Sequence, residues 1–338
     1  MVYIRFMQPV IHAFSLLHRL VCRIRNALYD KGILAPADAP LPVVSVGNIS
    51  FGGSEKTPLA QVLLHHLLER GIKPALVTRG YRGRWERTGG VLSRGNGLLG
   101  DWRDAGDEPC MVALNLPAAG IYLGKDRLAS CRLAKTDGFQ IAVLDDGFQH
   151  RKLRRSLDVV LFDPEERVRL RESVSSLERA DAVLIKRTPV TPPQAGFAPG
   201  PQGTQVFSYA VIAQGLRSVT TREPDSLKKM EGKQVLAFSG IARPERFTAL
   251  LNREGIHPSE TLTFPDHHSY PPGSITRIRE RMERSGATAA ITTEKDAVKL
   301  ATIPACRDLP LFYMKIALEV EPGFFTYLLS RIGPLACA

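Results

Sequence analysis

The chain has 338 residues, 44% of them hydrophobic and 23% charged, with a net charge of +11. That composition excludes a disordered or fibrous chain and leaves room for two globular domains, while the positive charge points to an acidic partner: nucleic acid, anionic lipid or a phosphorylated substrate. Cys22, Cys110, Cys131, Cys306 and Cys337 include no C-x-x-C pair, which argues against a zinc site or disulfide framework and for reduced thiols in a cytosolic setting.

At the N-terminus, Tyr3, Met7, Val10, Phe14, Leu17, Val21, Ile24 and Leu28 recur at alternating spacings of four and three, one continuous apolar stripe on a helix. Arg5, His12, Arg19, Arg23 and Arg25 lie off the stripe, and Pro9 interrupts the pattern near its start. Such a helix either lies in a membrane surface or packs on the protein's own core, and the pattern alone favours internal packing. No stretch is long and apolar enough to read as a secure transmembrane helix, and no small-residue cleavage site follows the stripe.

Next comes an apolar run, Pro42 to Val46, then Gly47-Asn48-Ile49-Ser50-Phe51-Gly52-Gly53-Ser54-Glu55-Lys56-Thr57, then a helical pattern from Leu59 to Arg70. Strand, glycine-rich turn, Lys-Thr and helix is the layout of a phosphate-binding loop. Backbone N–H groups freed by Gly52, Gly53 and Ser54 would surround phosphate oxygens, Lys56 would reach the outer phosphates, and the Thr57 hydroxyl would ligate Mg²⁺. Two positions depart from G-x-x-x-x-G-K-[ST]: Ser50 and Glu55 stand where it has glycine, and Glu55 sets a carboxylate beside the phosphate position.

Lys73 to Thr78 reads as a second strand, followed by the basic loop Arg79-Gly80-Tyr81-Arg82-Gly83-Arg84. A helix opens at Gly106-Asp107-Glu108-Pro109 and runs to about Asn115; taken alone, Asp107 and Glu108 suit a helix start. Gly120 to Leu123 is a short strand, Lys125 to Lys135 a helix, and Gln140 to Leu144 an apolar strand ending in Asp145-Asp146. Strand-terminal aspartates downstream of a phosphate loop hold the Mg²⁺ that bridges phosphate oxygens, and Gly147, Gln149 and His150 enrich the cluster. Leu157 to Asp163 and Asp181 to Ile185 are further strands. Strands alternating with helices predict a parallel α/β sheet with helices on both faces.

The proline-rich stretch from Thr188 to Gly203 reads as a linker or long loop. Beyond it the pattern predicts strands at Val235–Phe238, Thr288–Ile291 and Leu311–Met314, and helices at Pro244–Glu254, Asp296–Ala301 and Phe324–Ile332, together a smaller α/β domain. His267 and His268 lie in a loop with no ligand spacing for zinc; a histidine paired with a carboxylate can instead accept a hydroxyl proton. Thr292 to Asp296 either binds an anion or caps a helix. Two basic clusters, Arg79 to Arg87 and Arg151 to Arg155, flank the candidate site loops, and no nucleic-acid motif is present.

Together these segments resemble the tetraacyldisaccharide 4′-kinases of lipid A biosynthesis. The resemblance rests on Ser45-Val46-Gly47-Asn48 with Gly52-Gly53 and Lys56-Thr57-Pro58, then Thr78-Arg79-Gly80-Tyr81, Gly106-Asp107-Glu108-Pro109 and Gly124-Lys125-Asp126-Arg127. It continues through Leu144-Asp145-Asp146-Gly147-Phe148-Gln149-His150, Phe264-Pro265-Asp266-His267 and Thr293-Glu294-Lys295-Asp296. Each segment is weak alone; in register they are specific.

The resemblance implies transfer of the ATP γ-phosphate to the 4′-hydroxyl of an acylated glucosamine disaccharide at the cytoplasmic face of the bacterial inner membrane. It implies Asp107 as general base helped by His267, Lys56 on the phosphates, and Thr57 with Asp145 or Asp146 at Mg²⁺. It places Gln149 at the nucleotide, and Tyr81, Arg79, Glu108, Arg127 and His150 at the substrate. With a lipid substrate, residues 1–31 become a membrane-interface helix, 32–190 the kinase domain and 191–338 a smaller domain closing the cleft, with the basic clusters facing anionic headgroups. Glu55 departs from the family's glycine, which leaves open a catalytically impaired binding homologue; a soluble P-loop NTPase is the other alternative.

Overall fold

The computed structural model describes residues 24–51, 55–187 and 203–336. Most of the N-terminal stripe, Gly52, Gly53 and Ser54, and nearly all of the proline-rich stretch lie outside the described residues. Residues 24–30 are helical, and Ile24, on the stripe, is exposed.

Seven strands make the first block of the sheet: β1 (Val43–Asn48), β2 (Pro74–Thr78), β3 (Gly90–Arg94), β4 (Gly120–Leu123), β5 (Ile141–Asp145), β6 (Leu157–Phe162) and β7 (Ala182–Lys186). Their spatial order is β7-β6-β1-β5-β2-β4-β3, parallel throughout except for the antiparallel edge strand β3. Every residue of β1, β2, β5 and β6 is buried, as expected of parallel strands covered on both faces.

The covering helices are α1 (Lys56–Leu68), α2 (Asp107–Asn115) and α3 (Arg127–Thr136). Strand alternation sorts the core. Val44, Val46 and Val143 pack with Leu59, Leu63 and Leu67 of α1, whereas Val43, Ala142 and Leu144 pack with Cys131 and Ala134 of α3. Helices therefore lie on both faces, as predicted.

The second block holds β10 (Val235–Ser239), β11 (Glu260–Thr263) and β12 (Ala289–Thr293) with α4 (Pro244–Arg253), α5 (Pro272–Ser285) and α6 (Glu294–Leu300). A long ribbon joins the blocks. β8 (Gln205–Ser218), to which the short β9 (Pro224–Asp225) is paired, runs parallel to β7 through residues 205–209 and antiparallel to β13 (Leu311–Val320) from Tyr209 to Ser218. β13 is in turn parallel to β12, so the thirteen strands of the described residues form one sheet. The last helix, α7 (Pro322–Ala336), returns to the first block, where Phe324, Leu328 and Ile332 share a core cluster with α1.

Gly47 is the tightest point beside the site. A Cβ there would sit 2.3 Å from the Phe148 Cβ and 2.9 Å from its backbone nitrogen, so strand β1 and the Asp145–His150 loop touch only because residue 47 has no side chain. Gly47→Ala is expected to cost about 1–3 kcal/mol through overpacking. Thermal unfolding reads this directly, and an unchanged midpoint would show that the contact yields freely.

Candidate active site

The carboxyl ends of β1, β2 and β5 open on one side of the sheet, the usual position for ligands in parallel α/β folds. A cleft of about 1270 Å³ lies there, walled by both blocks. All the predicted site residues that are described line it, from Lys56 and Thr57 through Arg79, Tyr81 and Arg127 to Gln149 and His150.

Helix α1 starts at Lys56, directly after its N-cap Glu55. The Lys56 ammonium is 3.3 Å from Asn48 Oδ1 and 3.3 Å from Asp146 Oδ1. Thr57 Oγ1 lies 2.9 Å from Asp145 Oδ2 and 3.2 Å from Glu108 Oε2. The two neighbouring aspartates differ sharply. Asp146 has left-handed backbone (φ 53) and is paired with Lys56 and, at 2.7 Å, with Arg171. Burial opposes its ionisation, but those two cations outweigh it and hold its carboxyl well below the usual range.

Asp145 is 5% exposed, and its Oδ1 has no hydrogen-bond partner. Burial, reinforced by the charges of Glu108 and Asp146, pushes it up to about 6. An under-satisfied carboxylate beside a threonine hydroxyl and surplus negative charge fits a hard divalent cation. No group of three or more acidic, histidine or cysteine ligands exists among the described residues.

Across the cleft, Asp107 opens α2 and is 5% exposed. His267 Nδ1, from the loop after β11, is 3.1 Å from both Asp107 oxygens. Its backbone is left-handed (φ 59), and its ring meets Tyr81 edge-on at 5.4 Å. Lys299 Nζ lies 3.1 Å from Asp107 Oδ2, and Lys295 Nζ is 3.0 Å from Glu108 Oε1 and 3.3 Å from His267 Nε2. Burial would raise the Asp107 pKa, but His267, Lys295 and Lys299 together hold it well below the carboxylate range. The site thus sets an ionised carboxylate, contacted from the second block, in the same cleft as the start of α1.

A family model described as Tetraacyldisaccharide-1-P 4′-kinase matches residues 7–333. The chain belongs to the tetraacyldisaccharide 4′-kinase family. Tetraacyldisaccharide 4′-kinases of Desulfatibacillum aliphaticivorans and Chlorobium chlorochromatii are 36% and 33% identical to it, matches that cover 96% and 92% of this chain and 92% and 89% of theirs. The structure of LpxK from Aquifex aeolicus in complex with ATP matches with a TM-score of 0.76 at 28% identity, over 97% of this chain and 99% of that one. Members of this kinase family are phosphotransferases acting on a hydroxyl in lipid A biosynthesis.

Other predicted residues make contacts of their own. Gln149 Nε2 donates to the Asn48 carbonyl at 2.9 Å, closing the loop over the end of β1. Arg127 is buried, and its Nη1 donates to the Asp146 carbonyl. Arg79 pairs with Glu86. In the basic clusters Arg84 pairs with Asp104, Arg151 with Asp30, Arg154 with Asp38 and Arg155 with Asp158, so much of their charge is met internally. His268, by contrast, stacks on Phe264 and bonds Ser274 Oγ, a structural histidine.

Glu55 is the N-cap of α1, with left-handed φ 42, the backbone that explains why glycine is favoured there. Its carboxylate is met from both blocks: Lys186 Nζ is 3.0 Å away, Arg246 Nη1 3.4 Å, and the Tyr209 hydroxyl 3.5 Å. Those partners belong to a larger network in which Arg246 also meets Asp163 and Glu166. Nothing in the local sequence signals it, because the partners come from β7, β8 and α4.

His150 is half-buried, and burial, with Arg127 and Arg155 beside it, pushes it down to about 4. The unfolded chain takes up that proton near pH 6.5, whereas the folded protein resists it until about 4. The linked stability loss is therefore absent above 6.5, grows as pH falls, and levels off below about 4. His150→Gln should lose less of its melting temperature than the parent between neutral pH and pH 4.5; equal losses would remove His150 as a contributor.

Proposed function

We propose that this cleft transfers the γ-phosphate of ATP to the 4′-hydroxyl of a tetraacylated glucosamine disaccharide 1-phosphate, with Asp107 as the base. The 4′-oxygen forms a bond to the γ-phosphorus, the bond from that phosphorus to the β,γ-bridging oxygen breaks, and ADP leaves. The hydroxyl proton passes to Asp107. In the loose transition state of phosphoryl transfer that proton moves late, so a carboxylate of low basicity suffices to orient and then receive it. His267 fixes the carboxylate, and Lys56 offsets charge on the transferred group.

Thr57 and Asp145 are the residues suited to Mg²⁺, whose bound ion would neutralise phosphate charge. Asp146, already paired with two cations, suits it less. We assign residues 32–190 to one wall of the cleft and 191–338, apart from the returning helix α7, to the other, and residues 1–31 to the membrane surface at the cytoplasmic face. No helix of the described residues is long and apolar enough to cross a membrane. Exposed Ile24, Ile33 and Leu34 beside the described end of that segment favour a peripheral contact.

The single observation that carries this reading is the His267–Asp107 contact, which brings the two walls together opposite Lys56 and Thr57. Incubation with γ-labelled ATP and the disaccharide lipid in mixed micelles tests it. Label in the lipid is expected; ATP hydrolysis with none in the lipid would favour the NTPase alternative.

Glu55 bears on the impaired-homologue alternative. Because its charge is met by Lys186 and Arg246, the parent is expected to bind ATP within about tenfold of Glu55→Gly, less than about 1.4 kcal/mol. A nucleotide titration in which only the variant binds would mark the chain as a degenerate kinase.

A further inference from the structure

Behind Asp107, outside the lining of the cleft, lies a buried charge chain. Lys299, on α6, is 1% exposed and Asp296, one turn before it, 0%. The Lys299 ammonium sits between two carboxylates, 3.1 Å from Asp107 Oδ2 and 3.2 Å from Asp296 Oδ1, with the Tyr270 ring 5.5 Å from it. Asp296 is anchored in turn: its Oδ2 accepts the Gly240 backbone N–H at 3.0 Å and the Thr293 hydroxyl at 2.7 Å. The chain thus runs from the end of β10 through Asp296 and Lys299 to the first residue of α2.

A buried ammonium is costly to desolvate and is retained where its partners need it. Asp296 alone would satisfy the requirement for one counter-charge. Lys299 instead spends a second contact on the oxygen of Asp107 that His267 also touches. Asp107 Oδ1 is separately held by the Glu108 N–H at 3.0 Å. The carboxylate is therefore gripped on both oxygens, and the grip on Oδ2 comes from the opposite wall.

We propose that Lys299 is a positioning residue for the phosphotransfer reaction, its ammonium setting the orientation of the Asp107 carboxylate against the acceptor hydroxyl, with Asp296 fixing Lys299 in place. This rests on Asp107 being the base. Lys299 does not line the cleft, so its removal lowers turnover without weakening ATP.

The test uses the full-length protein in the labelled-lipid assay, with the parent's own turnover checking the phosphotransfer reading separately. Lys299→Met should lower kcat about tenfold to a hundredfold, the usual effect of losing a partner that orients a functional group, with the KM for ATP unchanged. Lys299→Arg, which keeps the charge, should recover part of the loss. In an Asp107→Asn background, Lys299→Met should cost nothing further, because there is no carboxylate left to orient. Should Lys299→Met fail to fold because Asp296 is left unpaired, Asp296→Asn/Lys299→Met removes both charges together. Turnover still at least about tenfold down in that double variant supports the proposal. Turnover at the parent's level in either folded variant, or losses that add with Asp107→Asn, would overturn it.

Discussion

Asp107→Asn is expected to lower kcat by about a hundredfold to ten-thousandfold, the usual contribution of a positioned base, while the KM for ATP stays near the parent value. The amide keeps the shape of the carboxylate, so the helix start and the Glu108 N–H contact persist. What disappears is the proton acceptor and its charge. Lys299 then faces only Asp296, and His267 loses the nearer of its two carboxylates, keeping Asp266 at 3.8 Å, so a modest fall in melting temperature should accompany the rate loss. Steady-state kinetics on the disaccharide lipid separate the outcomes. A variant that loses ATP affinity but keeps kcat would place Asp107 at the nucleotide instead of at the acceptor.

Asp145→Asn is expected to act in opposite directions on function and stability. Removing the carboxylate suited to Mg²⁺ forfeits several kcal/mol of charge stabilisation, about a thousandfold in kcat at about 1.4 kcal/mol per tenfold. Without Mg²⁺, however, the variant should be the more stable protein at pH 7.5. The Asp145 pKa is raised to about 6 in the fold, so the ionised carboxylate penalises the folded state. The penalty begins above the ordinary value of 3.8, grows to about 6 and is complete beyond it. Thermal unfolding with and without Mg²⁺ reads both signs: the parent gains midpoint on adding the ion, and the variant starts higher and gains nothing. A variant that still responds to Mg²⁺ would move the ion to Asp146 or Glu108.

The parallel sheet was legible where burial on both faces leaves largely apolar runs, as in Val43–Val46, broken only by the buried Ser45, and Ile141–Leu144. The ribbon strand β8 was not. Its burial varies irregularly along its length and it holds Gln205, Gln214 and Gly215, because it leaves the first block and twists away to pair with β13. α5 escaped for a related reason: apolar Ile275, Ile278 and Met282 are sparse among Arg277, Arg279, Arg281 and Arg284, and only a core on one side reveals them as a face.

The site was legible where chemistry clusters in sequence, as in Lys56-Thr57 and Asp145-Asp146. The division of labour within the aspartate pair was not, since it depends on Arg171, which is distant in sequence from both. Lys299 carries no signal in its own stretch of sequence, because its contact with Asp107 spans 192 residues. Glu55 likewise looked like a defect in the phosphate loop because its partners, Lys186 and Arg246, lie 131 and 191 residues along the chain.

The most direct measurement is the structure of the protein with Mg²⁺, a non-hydrolysable ATP analogue and the disaccharide acceptor. The account predicts a γ-phosphate beside Lys56, the ion on Asp145 and Thr57, and the sugar 4′-oxygen within hydrogen-bond reach of the Asp107 carboxylate, in line with the bond to be broken. A 4′-oxygen seated against some other base, with Asp107 turned away and out of reach, would contradict it.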